Sequence, residues 1–280
     1  MKLELKKFDM SSIPQDAVVC MLGKRRTGKS YIVKNLLSFH TDIPVVTVIS
    51  ATEDSNGFYG KFIPGMFIHN EYKPGIVENF VKRQKMICSK KNRETSVFGS
   101  SQVDPRAICL LDDCMYDSSW IHDKNIRLIF MNGRHHKIFF IMTSQLPLGI
   151  PPALRTNIDY TFICRENSLK NRRKIYENYA SMFDSFDIFC QVMTQTTEDY
   201  NCLVIKNNVD SNKIEDQVFW YKAPLEQTFK CCGKEFWDMN EAFKRSNEFD
   251  YEDDGDSYDN APPKKKNEQR LTVVKRGGAY

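Results

Sequence analysis

Residues 18–37 read VVCMLGKRRTGKSYIVKNLL, and the rest of the chain is interpreted around them. An apolar run from Ala17 to Leu22 breaks at Gly23. Gly28, Lys29 and Ser30 then open a segment with Ile32, Val33, Leu36 and Leu37 at helical spacing. The pattern predicts a strand, a glycine loop and a helix. In such a loop successive backbone N–H groups curl around phosphate oxygens, the lysine reaches the β- and γ-phosphates, and the serine hydroxyl ligates Mg²⁺. Gly23, Lys24, Arg25, Arg26, Thr27, Gly28, Lys29, Ser30 and Tyr31 are therefore the candidate nucleotide-binding residues, with Lys29 also acting on the reaction. A plain glycine-rich turn between strand and helix would give Lys29 no reason to be there.

An apolar strand ending in acid is the second part that nucleotide hydrolysis needs. About eighty residues further on, Ala107 to Leu111 (AICLL) ends in Asp112-Asp113. A buried strand there can place Asp112 beside the loop to hold Mg²⁺, and Asp113 to polarise the attacking water as general base. The next apolar run, Ile138 to Thr143, ends Thr143-Ser144-Gln145. If its strand lies between the other two, the Gln145 amide reaches the γ-phosphate or the water; otherwise it is a polar strand terminus. Phosphoryl transfer develops charge that an arginine from a neighbouring subunit can stabilise. Arg134, in Asn132-Gly133-Arg134-His135-His136-Lys137, is the first choice, with Arg155 and Arg165 as rivals. The adjacent histidines have no partners at metal-ligand spacing.

Composition sets the bounds. Two hundred and eighty residues with 41% apolar content suffice for one large α/β domain or two small ones, and the 12% aromatic share argues against wholesale disorder. Net charge is +4, which permits a polyanionic partner without demanding one. Nine cysteines without a C-x-x-C pair read as reduced, mostly buried thiols of an intracellular protein. No apolar run approaches the roughly 18 residues of a membrane span and the N-terminus lacks a secretory core, so a soluble protein is expected.

The remaining pattern alternates strands and helices, which predicts a parallel sheet with helices on both faces. Residues 1–16 read as a lead-in. Residues 45–50 read as a second buried strand, and 51–75 as a surface connection with a short strand near 66–69. A helix starts at Pro74. Between Lys82 and Arg93 stand six basic residues, either the solvated end of that helix with a mobile loop to about Pro105, or a contact to nucleic-acid phosphates. Helices are expected over 121–132 and 168–184, the latter with a basic start, and strands over 159–164, 202–205 and 218–221. The ATPase domain is expected to span 1–240. Residues 241–280 carry an acidic run and then Pro262-Pro263-Lys264-Lys265-Lys266, the composition of a disordered charged tail with a weak nuclear-import-like match.

With these residues assembled, the chain resembles the genome-packaging ATPases of large nucleocytoplasmic DNA viruses, a branch of the FtsK/HerA superfamily of ring motors. The resemblance covers about residues 15–225 and rests on GKRRTGKS, AICLLDD, NGRHHKI, and FFIMTSQ followed by a proline-rich turn and an arginine. It implies an ASCE or RecA-like P-loop NTPase fold, ATP and Mg²⁺ as cofactors, and a homo-oligomeric ring of five or six subunits. It further implies double-stranded DNA and the capsid, portal or membrane components of a virion as partners, and a viral factory in the host cytoplasm as the location. Asp112 and Asp113 would serve Mg²⁺ and water, Gln145 would be the sensor and Arg134 the finger in trans. Asp113 stands where cellular relatives usually have glutamate, and Lys24, Arg25 and Arg26 make the loop unusually basic. The rival readings are a P-loop small-molecule or nucleoside kinase, and a nucleotide-binding scaffold without motor activity.

Overall fold

The computed structural model describes residues 3–114 and 118–252. The chain divides into compact units at Asn240, and the fold below belongs to the first. Nine strands form one sheet: β1 (Lys6–Lys7), β2 (Val18–Leu22), β3 (Val45–Ser50), β4 (Ile68–His69), β5 (Ala107–Asp112), β6 (Ile138–Ser144), β7 (Tyr160–Ile163), β8 (Cys202–Lys206) and β9 (Val218–Tyr221). Their order is β1-β9-β8-β7-β2-β6-β5-β3-β4. Around them lie α1 (Lys29–Ser38), α2 (Glu53–Asn56), α3 (Pro74–Phe98), α4 (Lys124–Asn132), α5 (Pro152–Arg155), α6 (Leu169–Tyr179), α7 (Phe186–Thr196) and α8 (Ile214–Gln217).

The central strands are buried along their whole length and mostly apolar because both faces are covered. Alternate residues feed two cores: Val18, Cys20 and Leu22 of β2 point into one, Val19 and Met21 into the other. β6 lies between β2 and β5, parallel to both, with Leu22 opposite Ser144 and Leu111 opposite Met142. The loop after β2, the acids after β5 and the glutamine after β6 therefore emerge together at the carboxyl end of the sheet. In open α/β sheets that end carries the ligand crevice.

The sheet itself is mostly parallel, as expected, with β8 the exception, antiparallel to both β7 and β9. Several sequence expectations are corrected. The lead-in supplies an edge strand, β1, parallel to β9. Residues 51–75 are not merely surface: Tyr59, Phe62, Ile63 and Tyr72 are buried, and Phe58, Tyr59 and Phe62 pack edge to face. The basic segment 82–93 is no loop but the middle of α3, which continues to Phe98 and ends on Gly99 at φ 78°. A second helix, α7, follows α6 where none was expected; Ser185 caps it through the Ile188 N–H.

The nine cysteines are free thiols, six of them buried. Among the described residues no helix is long and apolar enough to cross a membrane. Residues 241–252, the first of the expected tail, are helical, as part of α9 (Lys234–Glu252). Most of the acidic run, from Asp253 on, and the lysine-rich stretch lie outside the described residues.

Candidate nucleotide site

Gly23 N–H donates to the Ser144 carbonyl (3.0 Å), fastening the start of the loop to the end of β6. A Cβ on Gly23 would stand 2.7 Å from both Cys164 Cβ and Thr27 Oγ1, so only glycine fits. Arg26 and Gly28 both take positive φ (62° and 93°), bending the loop back on itself ahead of α1. Thr27 Oγ1 closes the bend by donating to the Lys24 carbonyl (2.8 Å). Lys29 is buried and donates to the Gly23 and Lys24 carbonyls (2.6 and 2.9 Å). Its ammonium thus sits inside the concavity of backbone groups. Burial pulls its pKa down from the ordinary lysine value, opposed by the nearby Asp113 and Asp112 carboxylates.

The acids are held by β6. Thr143 Oγ1 donates to Asp112 Oδ1 (2.7 Å) and accepts from the Asp113 N–H (2.9 Å). Asp113 has φ 54°, a left-handed turn that lifts its side chain off the strand. Gln145 Nε2 donates to Asp113 Oδ1 (2.6 Å) and also touches the other oxygen. The glutamine expected to reach a phosphate or a water is therefore engaged with the second acid in this structure. Asp112 is buried, and burial raises its pKa, partly offset by the Thr143 hydroxyl and by Lys29. Asp112 Oδ2 also contacts Ser50 Oγ at 3.4 Å, and the Tyr59 hydroxyl also stabilises this carboxylate. A carboxylate and a serine hydroxyl lining one cleft are hard oxygen donors, so Ser30 and Asp112 fit the expected Mg²⁺.

These parts share one cleft of about 770 Å³, lined by Arg25 to Ile32 from the loop and α1 and by Asp112 and Asp113. Gly23 and Lys24 lie outside its lining. Lys24 instead pairs with Glu166 Oε1 (2.7 Å), an acid buried after β7 that also accepts from Ser168 N–H and Asn171 Nδ2. Sequence reading missed Glu166, Thr143 and the far wall of the cleft, where Asp199, Tyr200, Lys222 and Leu225 stand. The polar β6 terminus was the available signal for Thr143; the others carry none, because sheet order brings them in.

Arg134 lies elsewhere. Its turn, Gly133–His136, precedes β6, so it sits at the opposite end of the sheet from the loop, a strand length of about 20 Å away. Its Nη2 donates to Asp159 Oδ1 (3.0 Å), a buried carboxylate that also accepts from the Val18 N–H (2.8 Å). Arg155 stacks on Tyr179 at 5.7 Å, and Arg165 is exposed just after β7.

A strand-loop-helix phosphate cradle, a tandem-acid strand and a sensor strand between them define the fold and site of a P-loop NTPase. The genome packaging NTPase B204 of Sulfolobus turreted icosahedral virus 2, in complex with AMP, shares this fold. Its TM-score is 0.51 at 14% identity, over 76% of this chain and all of that one. The pCW3 conjugation coupling protein TcpA with ATPγS gives 0.50 at 12% identity, over 84% of this chain and 66% of that one.

No family model matches the sequence. It is 37% identical over 243 residues to uncharacterized protein L437 of Acanthamoeba polyphaga mimivirus, covering 86% of this chain and 84% of that one. To uncharacterized protein 075L of Invertebrate iridescent virus 6 it is 41% identical over 212 residues, 75% and 78% of the two chains. The chain belongs to this family of large-DNA-virus proteins, in keeping with the resemblance drawn from its motifs.

Proposed function

We propose that the protein is an ATPase that moves double-stranded DNA into a capsid during virion assembly. The observation that carries this is the meeting of Lys29, Ser30, Asp112 and Asp113 in one cleft, with Gln145 bonded to the second acid. The loop amides and Lys29 hold the triphosphate, and Asp113 takes the proton of the attacking water. Ser30 and Asp112 would hold Mg²⁺, which supplies charge neutralisation on the phosphates. Gln145, now on Asp113, orients that carboxylate.

Arg134 cannot serve its own cleft from the far end of β6, so its role is in trans, and that requires a ring of copies. The named neighbours support the reading by kind: one is called a genome packaging NTPase, the other a conjugation coupling protein. Capsid, portal or membrane components are the partners such a motor docks on. The DNA-tracking surface is basic and tolerant of sequence. Lys85 and Arg93 on α3 and Lys170 and Arg173 at the start of α6 supply it.

The test is inorganic phosphate release by the purified chain, with and without duplex DNA, beside its oligomeric mass. Stimulation by DNA in a ring-sized species is expected. Phosphate transfer to a metabolite without DNA stimulation would favour a kinase, and turnover unchanged in Asp113→Asn would favour a scaffold. Doping wild type with Lys29→Ala subunits is expected to depress activity more than in proportion; a linear loss would mean independent monomers.

A further inference from the structure

The far wall of the cleft has chemistry that phosphate binding does not use. Between α7 and β8 two consecutive residues, Asp199 and Tyr200, take positive φ, 51° and 59°. Glycine, asparagine and aspartate tolerate left-handed backbone, so Asp199 takes it readily, but for a tyrosine it is uncommon and strained. The turn is braced: Lys222, just after β9, donates to the Asp199 carboxylate at 2.5 Å. The conformation stands the Tyr200 ring over the phosphate loop, 3.6 Å from where a Cβ on Gly28 would be.

The ring nevertheless stays 63% exposed, and Leu225, on the same wall, is 75% exposed. The same cleft is lined by Tyr31 and Phe58, which meet edge to face at 5.9 Å. Beside its acids the cleft thus carries exposed aromatic and aliphatic side chains, the two chemistries a nucleoside triphosphate combines in its phosphates and its base.

We propose that these apolar side chains line the nucleobase site and that Tyr200 is its stacking face. The inference rests on the reading that the cleft binds a nucleoside triphosphate. Stacking on an aromatic ring is tolerant of base identity and grows with the size of the base, so purine triphosphates are preferred over pyrimidine ones. The strained turn is then what holds the ring edge clear of the loop, leaving a face for the base.

The experiment is calorimetric titration of the full chain with a non-hydrolysable ATP analogue and, separately, with inorganic tripolyphosphate, which has the phosphates but no base. Wild type is compared with Tyr200→Ala, Tyr200→Phe and Tyr200→Gly. Tyr200→Ala is expected to weaken the ATP analogue roughly tenfold or more while leaving tripolyphosphate unchanged, and Tyr200→Phe to keep both. Tyr200→Gly relieves the left-handed strain, so its loss of affinity comes without loss of thermal stability. Unchanged ATP affinity in Tyr200→Ala overturns the proposal and leaves the phosphate site standing. Parallel loss of both ligands also overturns it, since Tyr200 would then be shaping the loop. Failure of wild type to bind either ligand overturns the nucleotide reading itself.

Discussion

Thr143 contributes one hydroxyl, and both acids depend on it. It donates to Asp112 and accepts from the backbone of Asp113, so the isosteric Thr143→Val leaves a backbone N–H and a buried carboxylate each short of a partner. The expected result is a fall in kcat of at least tenfold with nearly unchanged nucleotide affinity, read by steady-state kinetics beside equilibrium binding.

Glycines 23 and 28 differ in kind. Alanine at 23 collides with Cys164 just after β7, whereas alanine at 28 meets only ordinary contacts and suffers from φ 93° alone. Gly23→Ala is therefore expected to lower thermal stability more than Gly28→Ala, as measured by melting. The spacing of this loop was legible because its chemistry is local. Tyr200 was not, because a left-handed tyrosine leaves no mark in sequence.

His40 gives a pH dependence. It is buried against Phe139, and burial pulls its pKa from 6.5 down to about 4, with Asp42 and Arg106 opposing each other nearby. The folded state prefers the neutral ring, so its stabilisation is full above pH 6.5 and is lost as pH falls from there toward 4. The loss is on the order of 3 kcal/mol. In His40→Gln this part of the stability-against-pH curve is expected to flatten in denaturant titrations between pH 7 and 4.

Among the elements, β2, β3, β5, β6, β7, β8 and β9 were readable as short apolar runs, since strands buried on both faces announce themselves by composition. β1 was not: Lys6 and Lys7 are exposed, and their strand exists only because β9 offers an edge. The aromatic stretch after β3 looked like surface because its glycines and asparagines mark turns, yet Glu53 ties it inward by accepting from the Tyr59 and Gly60 N–H groups.

In α3 only Val77, Phe80, Val81 and Gln84 are buried, all in the first half. In the distal half Lys90 pairs with Glu94 four residues on. That leaves its other cations for phosphates. Lys85→Ala with Arg93→Ala is expected to weaken duplex binding about equally across sequences and to reduce the slope of affinity against salt by about two. Filter binding across a salt series would show it.

For the molecule as a whole, the informative geometry is the separation of Arg134 from the cleft of its own chain. On the proposed ring, two variants that are inactive alone are expected to complement each other. Lys29→Ala lacks a working loop but keeps Arg134. Arg134→Gln, which retains an N–H for Asp159, keeps the loop. Mixed one to one, they are expected to recover a fraction of wild-type phosphate release, whereas an arginine that works only on its own subunit, or only as a structural partner of Asp159, would recover nothing. The motifs for this arrangement were legible; which end of the sheet each occupies required the strand order.

β6 has a consequence for timing. The turn before it carries Arg134 and the residue after it is Gln145, bonded to Asp113, the two joined by the seven residues of one buried strand. A small axial slip at one end must arrive at the other, so in a closed assembly the sequence in which successive subunits fire would be written into the stiffness of a single strand.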